Sequence, residues 1–208
     1  MAIDGKNILI IHTAFIGDII LTTPLVDMLA DESAHVKIDF LTIPKARNIL
    51  ESNPNIRDLI LFDKKKRDRG FKGLVRIGKT LKEKNYDICI TPHRSLRSAF
   101  LTWVTQAKIR IGFDRTACKK AFTHLVKYNK NNHEIDRNLS LLKPLGITKQ
   151  DRLPTIHPTT EDKEKVENLL SKFHDSKNGH LFAVAPGSVW PTKRWPEKYY
   201  TNPWFAQC

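Results

Sequence analysis

From Asn7 onward the chain alternates between apolar runs of five to eight residues and stretches with helical spacing, joined by short connections. The runs are Asn7–His12, Val36–Ile43, Asp58–Phe62, Tyr86–Thr91 and Lys108–Phe113. They are too short for helices, and the clearest of them, Asn7–His12, is nearly continuous in apolar residues. That suits strands buried on both faces, as in a parallel sheet. Helices are expected at Ile19–Ala30, Lys45–Glu51, Phe71–Lys84, Ser95–Thr105, Glu134–Leu145 and Glu161–Phe173. Pro24 should kink the first of these or limit its first turn. Leu74, Ile77 and Leu81 give Phe71–Lys84 a core-facing stripe at spacings of three and four. Gly146 is a natural stop for Glu134–Leu145. The stretch Gly146–Thr160, with Pro154 and Pro158, reads as a linker or domain edge, and His180–Ala185 begins a new strand. Strand and helix in alternation predict an α/β fold, a parallel sheet covered by helices on both faces.

A chain of 208 residues can bury a core without disulfides or a structural metal. Its 40% apolar and 27% charged residues exclude collagenous, low-complexity and fully disordered classes. Cys89, Cys118 and Cys208 form no CxxC or Cys/His cluster, so they read as inert thiols in a reducing compartment. No apolar run approaches the roughly 18–20 residues of a membrane span. These features predict a soluble cytoplasmic protein.

The net charge of +13 is uneven. Asp63–Lys84 holds ten Lys/Arg against three Asp/Glu, and Lys108–Lys130 holds seven against one. The remainder is balanced. Such a field attracts anionic partners: nucleic acid, lipid phosphates or acidic sugars. By itself it is also what a well-solvated surface looks like.

In open parallel sheets ligands bind beyond the carboxyl ends of the strands. Three such places carry chemistry. Thr13-Ala14-Phe15-Ile16-Gly17-Asp18 joins the first strand to its helix. It is neither GxGxxG nor a Walker loop, so a dinucleotide site or an NTPase is not expected. Asp18 is either a helix cap or a general base at the mouth of a cleft. His93-Arg94-Ser95-Leu96-Arg97-Ser98 follows the fourth strand and could meet a carboxylate or phosphate, or merely cap its helix. Ala185 to Pro196 offers Gly187, Ser188, Thr192, Lys193 and Arg194 before a helix starting near Pro196, either a diphosphate cradle or a loop stapled by tryptophans. There is no HExxH, EF-hand, zinc spacing, GxSxG or DxD-type carboxylate pair.

Taken together, these places resemble glycosyltransferase family 9, the ADP-heptose–lipopolysaccharide heptosyltransferases, and the pattern looks nearest to the heptosyltransferase II subtype. The resemblance rests on Gly17-Asp18 with Thr22-Thr23-Pro24, Asn53-Pro54, Tyr86-Asp87, Arg110-Ile111-Gly112, and Pro186-Gly187-Ser188 through Lys193-Arg194-Trp195-Pro196. It covers residues 7 to about 200. It implies the first half of a GT-B enzyme: a Rossmann-like acceptor-binding domain over residues 1–160, then over 161–208 a linker helix and the start of a donor-binding domain. It implies transfer of a heptose from ADP-heptose to the inner core of lipopolysaccharide, with inversion and without a metal or other cofactor. Asp18 would be the catalytic base. Thr13, Gly17, His93, Arg94, Ser95 and Arg97 would bind the acceptor. Ser188, Thr192 and Lys193 would bind the donor phosphates. The physical chemistry agrees: inversion needs one base in line with the departing diphosphate, and a helix start favours a charged carboxylate. Without metal, the leaving-group charge falls to amides, hydroxyls and a lysine. Contact with the inner membrane face is compatible with the charge, and no nucleic-acid partner is expected.

The end of the chain, Tyr199 to Cys208, resembles no continuation of the family. The expectation is a second domain cut short, little transferase activity from this chain alone, and association through Phe182, Trp190, Trp195, Trp204 and Phe205. Two other readings remain: another nucleotide-sugar glycosyltransferase of the same fold, or a basic module binding nucleic acid or other polyanions, which lacks any helix-turn-helix, RNP or zinc-finger signature.

Overall fold

All five apolar runs form strands: β1 (Asn7–Ile11), β2 (Lys37–Thr42), β3 (Asp58–Leu61), β4 (Ile88–Thr91) and β5 (Ile109–Phe113). A sixth, β6 (His124–Val126), completes a fully parallel sheet in the order β3-β2-β1-β4-β5-β6. The sequence reading omits β6. Three residues, of which His124 and Leu125 are exposed, carry no apolar run; the strand exists because Ile111–Phe113 offers it a ladder at the sheet edge. This computed structural model describes residues 3–148, 152–171, 184–185, 187–188 and 190–200. The chain divides into two compact units, Met1–Thr160 and Glu161–Cys208.

The helices of the first unit are α1 (Ile16–Ile20), α2 (Thr23–Glu32), α3 (Arg47–Leu50), α4 (Gly70–Glu83), α5 (Leu96–Val104) and α6 (Glu134–Ser140). The single helix expected at Ile19–Ala30 is instead two. Pro24 has no N–H to give a continuous helix, so it sits in the first turn of α2 and the chain breaks at Leu21-Thr22. The helix expected at Glu134–Leu145 likewise ends at Ser140, because Pro144 cannot donate to the Ser140 carbonyl. A 3₁₀ turn over Lys143–Leu145 follows, closed by Gly146 at φ +78° in the left-handed region.

Alternation along β1 divides the core. Ile8 and Ile10 pack with Leu25, Val26 and Leu29 of α2, Leu50 of α3, and Leu139 and Leu142. Leu9 and Ile11 pack on the other face with Ile77 and Leu81 of α4 and Leu101 of α5. The sheet is therefore covered on both faces, an α/β Rossmann-like fold. Cys89 lies in the second layer, where burial pushes its thiol up to about 11 and leaves it inert.

The segment after the first unit's core is tied to α2. Thr155 N donates to Thr23 Oγ1 at 3.0 Å, and Thr155 Oγ1 to Asp27 Oδ2 at 2.6 Å. The second unit contains α7 (Thr160–Leu170), whose first residue closes the first unit, a 3₁₀ turn at Pro191–Lys193, and α8 (Glu197–Tyr200). The strand expected at His180–Ala185 falls outside the described residues except for Val184 and Ala185, which are not in a strand. Pro186, Phe182, Trp204, Phe205 and Cys208 also lie outside them.

Candidate functional site

Chain connections run from β1 toward β2 and β3 on one side, and from β4 toward β5 and β6 on the other. The crevice between the carboxyl ends of β1 and β4 is thus the point where strand order reverses. Two loops meet there. His12 and Thr13 leave β1, and His93 follows β4.

Below the crevice, His12 is buried, with Nδ1 2.7 Å from Thr22 Oγ1. Thr22 Oγ1 donates its one proton to the Asp18 carbonyl at 2.8 Å. It must therefore accept from His12, which places the imidazole proton on Nδ1. Asn138 Nδ2 donates to the same hydroxyl at 3.2 Å and to Leu21 O at 3.1 Å. Burial, reinforced by His93, pushes His12 down to about 3, so the ring is neutral. This buried knot fixes the break between α1 and α2, directly after the short helix that carries Asp18.

Above it, His93 Nδ1 lies 3.0 Å from Thr13 Oγ1, 3.0 Å from Ser98 Oγ and 3.4 Å from Ser95 Oγ. Ser95 caps α5 by accepting from Ser98 N at 3.2 Å. Lys64 Nζ donates to Thr13 O at 2.9 Å, bringing a cation from the loop after β3 into the same place. Burial first, then the Lys64 and Arg94 charges, hold the His93 imidazole below its ordinary range, against the opposing pull of Asp18. Burial and the neighbouring Arg97 lower Lys64 in turn. Asp18 is half-buried in the first turn of α1. A Cβ at Gly17 would meet no atom within 4 Å, so the fold itself does not demand glycine there. A cleft of about 640 Å³ opens beside the cluster. Thr13, Phe15, Pro44, Phe62, Lys64 and His93 are among its walls.

Thr13, Asp18, His93, Ser95 and Arg97 are thus brought to one crevice, with Gly17 in the same turn. Arg94 is not used in the same way: its guanidinium stacks on Tyr128, 4.2 Å from the ring centroid, toward the β5–β6 end. Lys64 and His12 were missed by sequence reasoning. Lys64 sits in the run Lys64-Lys65-Lys66-Arg67, which signals charge but not position, and His12 ends an apolar strand. Among the described residues, no group of three or more His, Cys, Asp or Glu is placed to hold a metal ion. No described helix is long and apolar enough to cross a membrane.

In the second unit Ser188, Thr192 and Lys193 belong to one compact loop. Trp190 N donates to Ser188 Oγ at 3.2 Å and Arg194 Nε to Ser188 O at 2.8 Å. The 3₁₀ turn holds Thr192 and Lys193, both exposed.

Residues 74–202 match glycosyltransferase family 9 (heptosyltransferase). The chain is 34% identical over 145 residues to lipopolysaccharide heptosyltransferase 3 of Escherichia coli K12, covering 64% of this chain and 40% of that protein. It is similar along its whole length to a crystal structure of a family 9 glycosyl transferase from Veillonella parvula, with a TM-score of 0.91 and 28% identity, covering 62% of that chain. It shares the fold of the E. coli ADP-heptose LPS heptosyltransferase II at TM-score 0.75 and 19% identity, over 97% of this chain and 61% of that one. The chain spans less than two thirds of each of these relatives. With more than half of its residues inside the family match, the chain belongs to glycosyltransferase family 9, the heptosyltransferases.

Proposed function

We propose that this chain serves transfer of a heptose from ADP-heptose to the inner core of lipopolysaccharide, with inversion at the anomeric carbon and no metal. The observation that carries the reading is the β1/β4 crevice, where half-buried Asp18, one of the residues that carry the family resemblance, stands near His93, with Lys64 and Arg97 beside them. In this reading the crevice binds the acceptor. Lys64 and Arg97 meet its acidic groups, and Thr13, Ser95 and His93 give neutral hydrogen bonds to its hydroxyls. Asp18 takes the proton of the attacking hydroxyl. The new oxygen–carbon bond forms on the face opposite the ADP, and ADP leaves with the electron pair of the bond that breaks. The hydroxyls of Ser188 and Thr192 and the ammonium of Lys193 meet the charge on its phosphates. The relatives' names supply the donor and the acceptor class.

The test is a titration of the chain with delipidated inner-core oligosaccharide, beside a transfer assay with ADP-heptose. Saturable binding is expected, weakened about tenfold or more in Arg97→Ala through loss of a charge-assisted contact. Asp18→Asn should keep that binding and lower any transfer by about a hundredfold or more, the usual worth of a positioned base. Binding untouched by Arg97→Ala, or transfer untouched by Asp18→Asn, overturns the assignment.

A further inference from the structure

α4 and α5 lie side by side over one face of the sheet, close enough that a Cβ at Gly78 would stand 3.0 Å from the Val104 side chain. Their outer seam is apolar where a solvated surface would be polar. Phe71 is 72% exposed, Leu96 65%, Trp103 59% and Val75 45%. The rings form a continuous row: Phe71 to Phe100 at 6.3 Å and Phe100 to Trp103 at 6.3 Å between centroids. Phe100 packs inward on the core, so the row is anchored rather than dangling. Leu96, Phe100 and Trp103 recur at spacings of four and three, one face of α5.

Beside this row, Lys72, Arg76 and Lys79 recur at the same spacings along the exposed side of α4. Arg76 pairs with Asp68, whereas Lys72 and Lys79 make no ion pair among the described residues. Arg69 and Arg97 are exposed at the starts of the two helices. α4 lies in the segment with ten cations against three anions.

We propose that the α4–α5 face docks on an anionic phospholipid bilayer. Exposed aromatic rings suit the headgroup–acyl boundary, and the ammoniums of Lys72 and Lys79, unpaired among the described residues, suit lipid phosphates within a Debye length. A second copy of the chain fits poorly, because pairing this face with itself would juxtapose two strongly cationic helices. The face also adjoins the crevice: Leu96 and Arg97 follow Ser95, which caps α5 beside His93. Under the proposed function a membrane-bound acceptor would be presented there, but the docking itself needs no sugar.

The full chain is sedimented with vesicles of phosphatidylcholine alone and of phosphatidylcholine mixed with phosphatidylglycerol, none containing glycolipid. Binding is expected to the mixed vesicles only. It should weaken about tenfold in Lys72→Gln/Lys79→Gln, from the loss of two surface cations, and at least as much in Phe71→Ser/Trp103→Ser. All four side chains are exposed, so circular dichroism and the unfolding midpoint should stay unchanged. No preference for the anionic vesicles, or full binding by the Phe71/Trp103 variant, overturns the proposal. So does a dimer in gel filtration that this variant abolishes, or DNA binding that depends equally on both rings. Because the vesicles carry no sugar and the core oligosaccharide carries no lipid, failure here and failure of the transferase reading are separate results.

Discussion

His12 shows how far burial changes one residue. On the surface it would titrate near neutrality; inside the fold it is neutral, holds its proton on Nδ1 and serves Thr22 rather than any ligand. Its pKa is about 3 in the folded chain, against roughly 6.5 for a free imidazole. Above about pH 6.5 both states are neutral and this group costs the fold nothing. As pH falls from there toward 3, the unfolded chain binds a proton that the folded one refuses, and stability drops by up to about 1.4 kcal/mol per unit. Urea unfolding at pH 7 and pH 5 should therefore show a loss of about 2 kcal/mol from His12. His12→Gln should reduce that loss to the part contributed by His93, which is depressed in the same direction. Equal pH dependence in both proteins would mean that the ring is hydrated. None of this is legible in the sequence, where NILIIH ends in a histidine that could as well face a ligand. What decides it is Thr22 ten residues on and Asn138 beyond that, brought together only by folding.

At the scale of elements, several residues that carry the family resemblance hold strands and helices rather than substrate. Gly112 is glycine because a Cβ there would stand 2.4 Å from the Phe122 ring, and Arg110 Nε binds Ala121 O at 2.8 Å. Asp87 accepts from Asn7 N at 3.0 Å, joining β4 to β1. Tyr86 OH donates to Asp39 at 2.7 Å. Asp39 is the centre of a lock at the amino ends of the strands: Arg57 grips it through Nε at 2.8 Å and Nη2 at 2.9 Å, and Lys84 joins it to Asp58. Burial alone would raise Asp39, but the bonds from Arg57 and Tyr86 and the Lys84 charge hold it below the ordinary carboxylate range. The lock is therefore fully present above about pH 4 and weakens as pH falls below that value. Asp39→Asn should cost about 3 kcal/mol in urea unfolding at pH 7, the low end for a broken buried pair because Arg57 reaches solvent. The variant should also lose less on going from pH 4 to pH 3 than the parent. The five longer strands are legible in the sequence because each is an apolar run. β6 is not, being held only by its neighbour, and the α1/α2 break is half-legible: Pro24 marks the place but not whether the helix bends or restarts.

For the whole molecule, position is what the sequence withholds. Thr13 and Lys64 are 51 residues apart and Thr13 and His93 are 80 apart, yet all three touch, because β1, β4 and the loop after β3 end on the same side of a parallel sheet. The motifs pick out loops after β1 and β4 that the fold brings together; only strand order says which loops face one another. Net charge works in the opposite way: its total of +13 and its concentration in two segments are legible, but which surface those segments form is not. A polyanion trap and an acceptor site are separated by how each responds to salt. A DNA duplex releases many counterions when it binds a diffuse basic surface. Its affinity should fall by about a thousandfold or more between roughly 50 and 200 mM salt. Core oligosaccharide carries few charges and would be held also by hydroxyl contacts from Thr13, Ser95 and His93, so its affinity should fall by about tenfold or less. Fluorescence anisotropy across that range gives both slopes on one protein. Divergent slopes place sugar binding in the crevice and DNA binding on the charge. Parallel steep slopes would mean that the crevice adds nothing to the field, and the acceptor assignment would fall with it.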